Sequence, residues 1–245
     1  MKRTHPHSSV TLSGGRILVG VFVMLMGLMP AAADSVYARP EESSRVEDST
    51  TVMNEIMAHP ESSIPGPILQ RACCIIIIPN MFKLGFIIGG RTGRGILAVK
   101  DVQGTWSNPV FVTLRGTSIG IQSGVMLRDV ILVFRKNSSL ESLSAQNFLF
   151  GADASIIAGP FTFQVDENTD LGLTSEIFSY SRGIGIFVGI ALQGASLEID
   201  LKKTSAYYGT SVLSIQDILS GRIPLPPKDA RAFKETLESY SRRRP

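Results

Sequence analysis

The sequence predicts an α+β domain with a predominantly antiparallel β core, meander-like or barrel-like, flanked by N- and C-terminal helices. Three observations predict it. Glycine is abundant, with 23 residues scattered through apolar stretches rather than gathered in a linker, and β-branched and aromatic residues accompany it, the mixture expected of many short strands with tight turns. Apolar segments between residues 74 and 134 follow one another with short links, which favours antiparallel pairing over strand-helix-strand crossovers. Helical periodicity shows near residues 49–58 and 227–240. At 245 residues and 44% hydrophobic content, one domain with a sizeable core is expected.

The first segment stands apart from the fold. Lys2, Arg3 and Arg16 precede an apolar run from Ile17 to Met29 that ends at Pro30 and small residues, the pattern of a signal peptide. Thirteen apolar or Gly residues fall short of the roughly 20 that span a bilayer as a helix, so export with removal of a signal peptide within residues 1–38 is expected, with cleavage after Ala33 or Ala38. The mature protein is then periplasmic or extracellular, or peripheral to a membrane. Cleavage after Ala38 removes Lys2, Arg3, Arg16 and Asp34 and takes the formal charge from +3 to +1, and cleavage after Ala33, which keeps Asp34, takes it to 0. A near-neutral chain is a poor candidate for nucleic acid, which asks for a basic face.

Residues 39–51 are rich in Glu, Ser and Arg and read as a flexible lead-in to about residue 48, with the domain itself over 49–241. A helix from Ser49 to Ala58 carries Val52, Met53, Ile56 and Met57 on one face before Pro60 ends it; that face packs on the core or lies in a membrane interface, core packing being the preferred reading. Ile64-Pro65-Gly66-Pro67 is a turn, followed by a helical turn over 68–73. The run Cys74 to Ile78, stopped by Pro79, reads as a strand buried on both faces. Strands over 84–89 and 95–99 are expected to be joined by a hairpin at Gly90-Arg91-Thr92-Gly93-Arg94. After a turn at 101–104, strands are expected over 110–114, 118–125 and 129–134, with a bend at Leu127 and Arg128.

Ser138-Ser139-Leu140-Glu141 has the spacing of a capping box and predicts a helix to about Phe150, capped by Gly151. Strand patterns return over 152–165, 173–180 and 185–200, the last alternating at Ser196 to Asp200 as if one face were wet. A short helix over 214–219 starts at a Ser cap. The final helix starts at Pro227 and places Ala230, Phe233, Leu237 and Tyr240 on a packing face, with Lys234 and Glu238 able to pair on the other.

Groups able to do chemistry are few. Of three histidines, His5 and His7 leave with the leader, and His59 sits beside Pro60 at a helix end, where a surface residue is expected; a nucleophilic triad or zinc site would have to use it. No enzyme is expected, and no cofactor or metal. The adjacent Cys73 and Cys74 lie about 3.8 Å apart at Cα, below the usual disulfide range, and read as small apolar residues opening a buried strand. The glycines of Gly89 to Gly95 lack the Gly-Lys-Ser/Thr and the following helix of a phosphate loop, so they read as turn residues, with Arg91 and Arg94 placed to meet a lipid phosphate. Asp153, Asp166, Glu167, Asp170 and Glu176 match no calcium loop. Trp106 is an interfacial anchor or, by preference, a core residue. The segment 183–194 reads as a buried hairpin or barrel strand in preference to a surface-inserting loop.

In order along the chain stand Ile64-Pro65, the Ile-rich strand with Pro79, Lys83-Leu84-Gly85-Phe86, Gly93-Arg94-Gly95, Trp106-Ser107-Asn108-Pro109, Gly120-Ile121-Gln122-Ser123-Gly124, Gly159-Pro160, Tyr180-Ser181-Arg182-Gly183 and Tyr207-Tyr208-Gly209. This series, over about residues 50–240, resembles the SYLF domain family. The resemblance implies a single domain that binds lipid rather than catalysing a reaction: eukaryotic relatives bind phosphoinositides and other acidic lipids, some also actin, and bacterial members are exported lipid-binding proteins. It associates lipid contact with an amphipathic N-terminal helix and basic residues, here matched by Val52, Met53, Ile56 and Met57 and by Lys83, Arg91 and Arg94, with Trp106 as a further candidate. The expected partner is a phospholipid or membrane surface, with envelope proteins and a scaffold role as the alternative; actin is a remote partner for an exported chain.

Overall fold

The computed structural model describes residues 40–60, 63–85, 88–119, 124–135, 148–150, 156–158, 177–182, 192, 194–209, 214, 217 and 226–242. The leader, the acidic residues between 153 and 176 and most of segments 136–147 and 183–193 lie outside them. All described residues fall within one compact unit, Tyr37–Pro245.

Helix α1 runs from Pro40 to Ala58, so the lead-in expected to be flexible to about residue 48 is helical and the helix starts well before Ser49. Pro40 suits a first helical position, and Glu41 and Glu42 in the first turn complement the helix dipole. The Ser/Thr-rich stretch is accommodated because Ser49, Thr50 and Thr51 donate to the carbonyls of Arg45, Val46 and Glu47, four residues back. Val46, Val52, Met53 and Ile56 are buried, and Met57 packs on the same core. Helix α2, Gly66–Gln70, follows Pro65.

Among the described residues eight strands form one sheet: β1 (Cys74–Gly85), β2 (Ile88–Val99), β3 (Val110–Ile119), β4 (Gly124–Phe134), β5 (Phe148–Leu149), β6 (Ile156–Ala158), β7 (Ile177–Arg182) and β8 (Ala195–Ile199), in the order β5-β8-β3-β2-β1-β4-β7-β6. Every pairing is antiparallel except β6 with β7. The first four strands therefore follow a Greek-key order, β4 returning to lie beside β1, rather than a simple meander. Helices α3 (Leu201–Tyr207) and α4 (Lys228–Arg242) complete the fold.

The sheet curls. Four strands separate β4 from β5 in the sheet order, yet the rings of Phe134 and Phe148 stand 5.9 Å apart, and Phe148 stacks edge-on against Phe150 at 4.9 Å. The concave face thus packs on itself, with Cys74, Ile76, Ile78, Leu97, Leu114, Leu132 and Leu197 buried in it. The opposite face, through Ile75, Ile77, Ile96, Phe111 and Ile131, is buried as well. Here α1 packs on β1 and β2, and Tyr207 of α3 meets Phe111 edge-on at 5.2 Å. A run of β-branched residues with no alternation is what burial on both faces requires.

Three expected breaks are absent. Pro79 does not end β1: the register slips between Ile78 and Met81 against β4, a bulge at which Asn80 takes φ 48° and donates its N–H to Asp129 at 2.9 Å. Gly90 to Arg94 is not a turn but the interior of β2. There Gly93 allows the side chains of Ile78 and Met81 to approach, and Gly95 the carbonyl of Ile77, so close packing is their role. The bend expected at Leu127 and Arg128 is absent, since β4 runs unbroken through both; of the strand expected over 118–125, residues 120–123 lie outside the described residues. Phe148 and Leu149, expected at a helix end, pair with β8.

Helix α4 keeps its expected face, with Ala230, Phe233 and Leu237 buried, and Glu238 pairs with Arg242 at 3.1 Å. It docks through Tyr240, whose hydroxyl donates to Asn54 of α1 at 3.0 Å, and through Ser241, which accepts from Trp106 Nε1 at 2.9 Å. Ser214 and Asp217 cap each other as a Ser cap predicts.

Candidate binding site

The ladder puts two of the expected basic residues together and sends the third elsewhere. Lys83 on β1 lies directly opposite Arg91 on β2, so both side chains stand on one face. Arg128 on β4 is paired with Met81, two residues from Lys83 on β1, and therefore projects from the same face. That face is the concave one. Arg91 and Arg128 are each only 5% exposed, and Lys83 is half-buried. Arg91 Nη2 donates to the Thr117 carbonyl at 3.1 Å. Burial lowers the pKa of the Lys83 ammonium, and the charges of Arg91 and Arg128 lower it further; burial likewise lowers that of Arg91.

Arg94 lies three residues from Arg91 and hence on the opposite, helix-bearing face. It is 59% exposed and bonded to Glu41 of α1 at 3.1 Å. The same Glu41 oxygen takes Arg45 at 2.8 Å and Lys203 of α3 at 3.1 Å. These hydrogen bonds, from Lys203 first and then Arg45, hold the Glu41 carboxyl down at about 2 against an ordinary 4.5.

The apolar candidates sit in the core. Val52, Met53 and Ile56 are buried between α1 and the sheet, with Met57 partly so. Trp106 is 1% exposed, its ring under the Lys100 ammonium at 4.6 Å. The motif around it is a joint: Ser107 Oγ accepts from Val99 N at 3.0 Å, and the buried Tyr208 hydroxyl donates to the Pro109 carbonyl at 2.7 Å.

Among the described residues no group of three or more His, Cys, Asp or Glu is placed to hold a metal ion, and His59 is exposed at the end of α1. Both cysteines are free. Burial pushes the Cys73 thiol up to about 11, and Cys74 well above its ordinary value. No described helix is long and apolar enough to cross a membrane.

Sequence reasoning missed Arg128, because nothing local relates it to Lys83; only the register of β4 does. It also missed a band on the helix-bearing face beyond the reach of α1. Leu127, Phe82, Thr92, Arg115, Ser196 and Leu149 are successive cross-strand partners, with Leu127 58%, Leu149 44% and Phe82 36% exposed.

A curled antiparallel sheet closed by helices, with a buried basic group on its concave face, is the class these features define. The model of the Ysc84 family, described as Las17-binding protein actin regulator, matches residues 115–240, and the chain belongs to this family, the SYLF domain. The chain is similar to protein YSC84 of Saccharomyces cerevisiae, 28% identical over 226 residues, which are 88% of this chain and 48% of that protein. It is similar to LAS seventeen-binding protein 3 of the same organism, 27% identical over 217 residues, 87% of this chain and 46% of that one. To human SH3 domain-containing YSC84-like protein 1 it is 26% identical over 183 residues, 74% and 53% of the two chains. The chain spans about half the length of these curated relatives.

Proposed function

We propose that this SYLF domain is a non-enzymatic, exported module of the cell envelope that associates with membrane surfaces through acidic phospholipid head groups. The observation that carries the reading is Lys83 opposite Arg91 on paired strands, since ammonium and guanidinium groups both give charge-assisted hydrogen bonds to phosphate oxygens. The leader-like segment 1–38 supports the export. Val52, Met53, Ile56, Met57 and Trp106 hold the fold in this reading, and the charged groups meet the lipid. Flotation of the purified protein with phosphatidylglycerol vesicles and with phosphatidylcholine vesicles tests it. Recovery with the anionic vesicles alone, declining as salt is raised, is expected; no bound fraction with either refutes it.

A second reading is a protein-interaction domain. It is supported by the relatives, one of which is named for binding LAS seventeen, and by the exposed apolar band of Leu127, Phe82 and Leu149. Retention of specific envelope proteins on the immobilised domain, unchanged when lipid is removed by detergent, distinguishes it. Co-sedimentation with actin filaments tests the actin role that the family description suggests.

A further inference from the structure

We infer that the stripe of the helix-bearing face left uncovered by α1, from Leu127 through Phe82 and Arg115 to Leu149, is the surface that enters the interface of an anionic phospholipid bilayer. This deepens the membrane reading and rests on it for the partner, while naming the surface that makes the contact. The stripe crosses β4, β1, β2, β3, β8 and β5, which are neighbours in that order. Leu127, Phe82, Thr92, Arg115, Ser196 and Leu149 are its successive partners. Its three apolar members are all exposed, and large apolar side chains grouped on a solvent face mark a contact surface.

Two features favour a bilayer over a protein or a second copy of the chain. The first is charge. Arg115 is the stripe's one charged residue and is exposed, and Glu198 stands opposite Thr113 in the row behind. A cation among apolar and hydroxyl side chains suits a surface that is anionic outside and apolar within. The second is the polarity of the sheet from end to end. Outward from the stripe, the partners Gly90 and Thr117 are exposed and uncharged. Beyond them the chain passes out of the described residues after Gly85 and after Ile119, and the sequence there, Phe86-Ile87 and Gly120-Ile121-Gln122-Ser123, holds no charge. Strand β7 runs towards the same end, being antiparallel to β4, and residues 183–191 after it are also uncharged. At the other end, the connection from β2 to β3 carries Lys100 and Asp101.

The test is flotation of the purified protein and its variants on phosphatidylglycerol vesicles, with fluorescence quenching by brominated phosphatidylglycerol. Leu127→Asp and Phe82→Ser are each expected to weaken binding by about 10-fold or more, the loss of one inserted apolar side chain. Arg115→Gln should weaken it by about 5-fold, the share of one arginine at an anionic surface. Val102, 97% exposed in the turn at the opposite end of β2, is the control: Val102→Asp should stay within about 2-fold, as distant and independent sites do. Leu127→Trp should gain emission that the brominated lipid quenches, whereas the buried Trp106 of the unaltered protein, beyond the far end of β2, should not be quenched. If Phe82→Ser does not fold, the variants at Leu127, 58% exposed, carry the test. Unchanged flotation of Leu127→Asp, or unquenched Leu127→Trp, overturns the inference and leaves the membrane reading standing. A dimer or a complex with an envelope protein that Leu127→Asp dissociates, with vesicle binding intact, also overturns it and gives the stripe to that partner. Absence of flotation by the unaltered protein removes the inference and the membrane reading together.

Discussion

Replacing Glu41 by Gln removes one charge and little volume from the point where α1, β2 and α3 meet. One carboxylate oxygen takes Arg45, Arg94 and Lys203 at 2.8, 3.1 and 3.1 Å. Taken at face value, a carboxyl pKa lowered from 4.5 to about 2 corresponds to about 3 kcal/mol of stability at neutral pH. Glu41 is 57% exposed, so water and salt screen most of this, and the expected loss in Glu41→Gln is about 1 kcal/mol, or about 3 °C in the melting midpoint of a domain this size. Because the folded-state pKa is depressed, the contribution is present above 4.5 and disappears as pH falls from there towards 2. Urea denaturation of both proteins at neutral pH, at pH 4.5 and near pH 2 should show a gap that closes on acidification, and narrows at high salt as exposed pairs do. A gap that is the same at all three pH values, or none at neutral pH, refutes the electrostatic account of how α1 is clasped.

Two further outcomes follow from packing. Gly95→Ala pushes a methyl group into the Ile77 carbonyl and the Ile78 side chain and should cost about 2 to 3 kcal/mol in urea denaturation. Gly90→Ala, where nothing lies within 4 Å, should change stability by less than about 0.5 kcal/mol; equal effects at the two positions would contradict the close-packing role given to Gly95. The Cys73 thiol, raised by burial from 9.0 to about 11, should react with a disulfide reagent at pH 8 about 100-fold more slowly than in the unfolded chain, from its thiolate fraction alone. Since folding favours the neutral thiol, its contribution to stability fades as pH rises from 9 towards 11; native-state labelling as fast as in urea would show the site to be open.

Where one element decides its own structure, the sequence was readable. Cys74 to Ile78 has no polar residue to set on a wet face, and Ala230, Phe233, Leu237 and Tyr240 fit one stripe of a helix, so both were visible in the pattern and both are found. The joint at Trp106 to Pro109 was visible as a family motif; its reason, ties to β2, α3 and α4, became visible only in three dimensions. What could not be read depends on partners. Pro79 breaks a ladder in general, but the bulge beside it and the Asp129 carboxylate that receives Asn80 let β1 continue. Gly93 and Gly95 look like turn residues until the side chains of β1 are set against them. The first half of α1 has a composition that suits a disordered lead-in, and it is ordered by its own hydroxyl back-bonds and by Glu41. The basic residues divide in the same way: Lys83 and Arg91 are visible in one short stretch, whereas Arg128 joins them on the concave face through the β4 register, and strand parity puts Arg94 on the other face.

The pairing of α1 with α4 bears on how the chain reaches its native state. Asn54 and Tyr240 are joined across 186 residues, and Trp106 and Ser241 across 135, so the apolar side of the sheet cannot be fully roofed until α4 has been synthesised and has found α1. Contacts this distant in sequence carry a large loop-closure cost before they stabilise anything, and folds dominated by them form slowly. Until then the Ile-rich strands present edges and uncovered apolar surface, the condition in which a chain is prone to aggregate and in need of a holding factor. The same delay makes the arrival of α4 the step that commits the chain to the folded state.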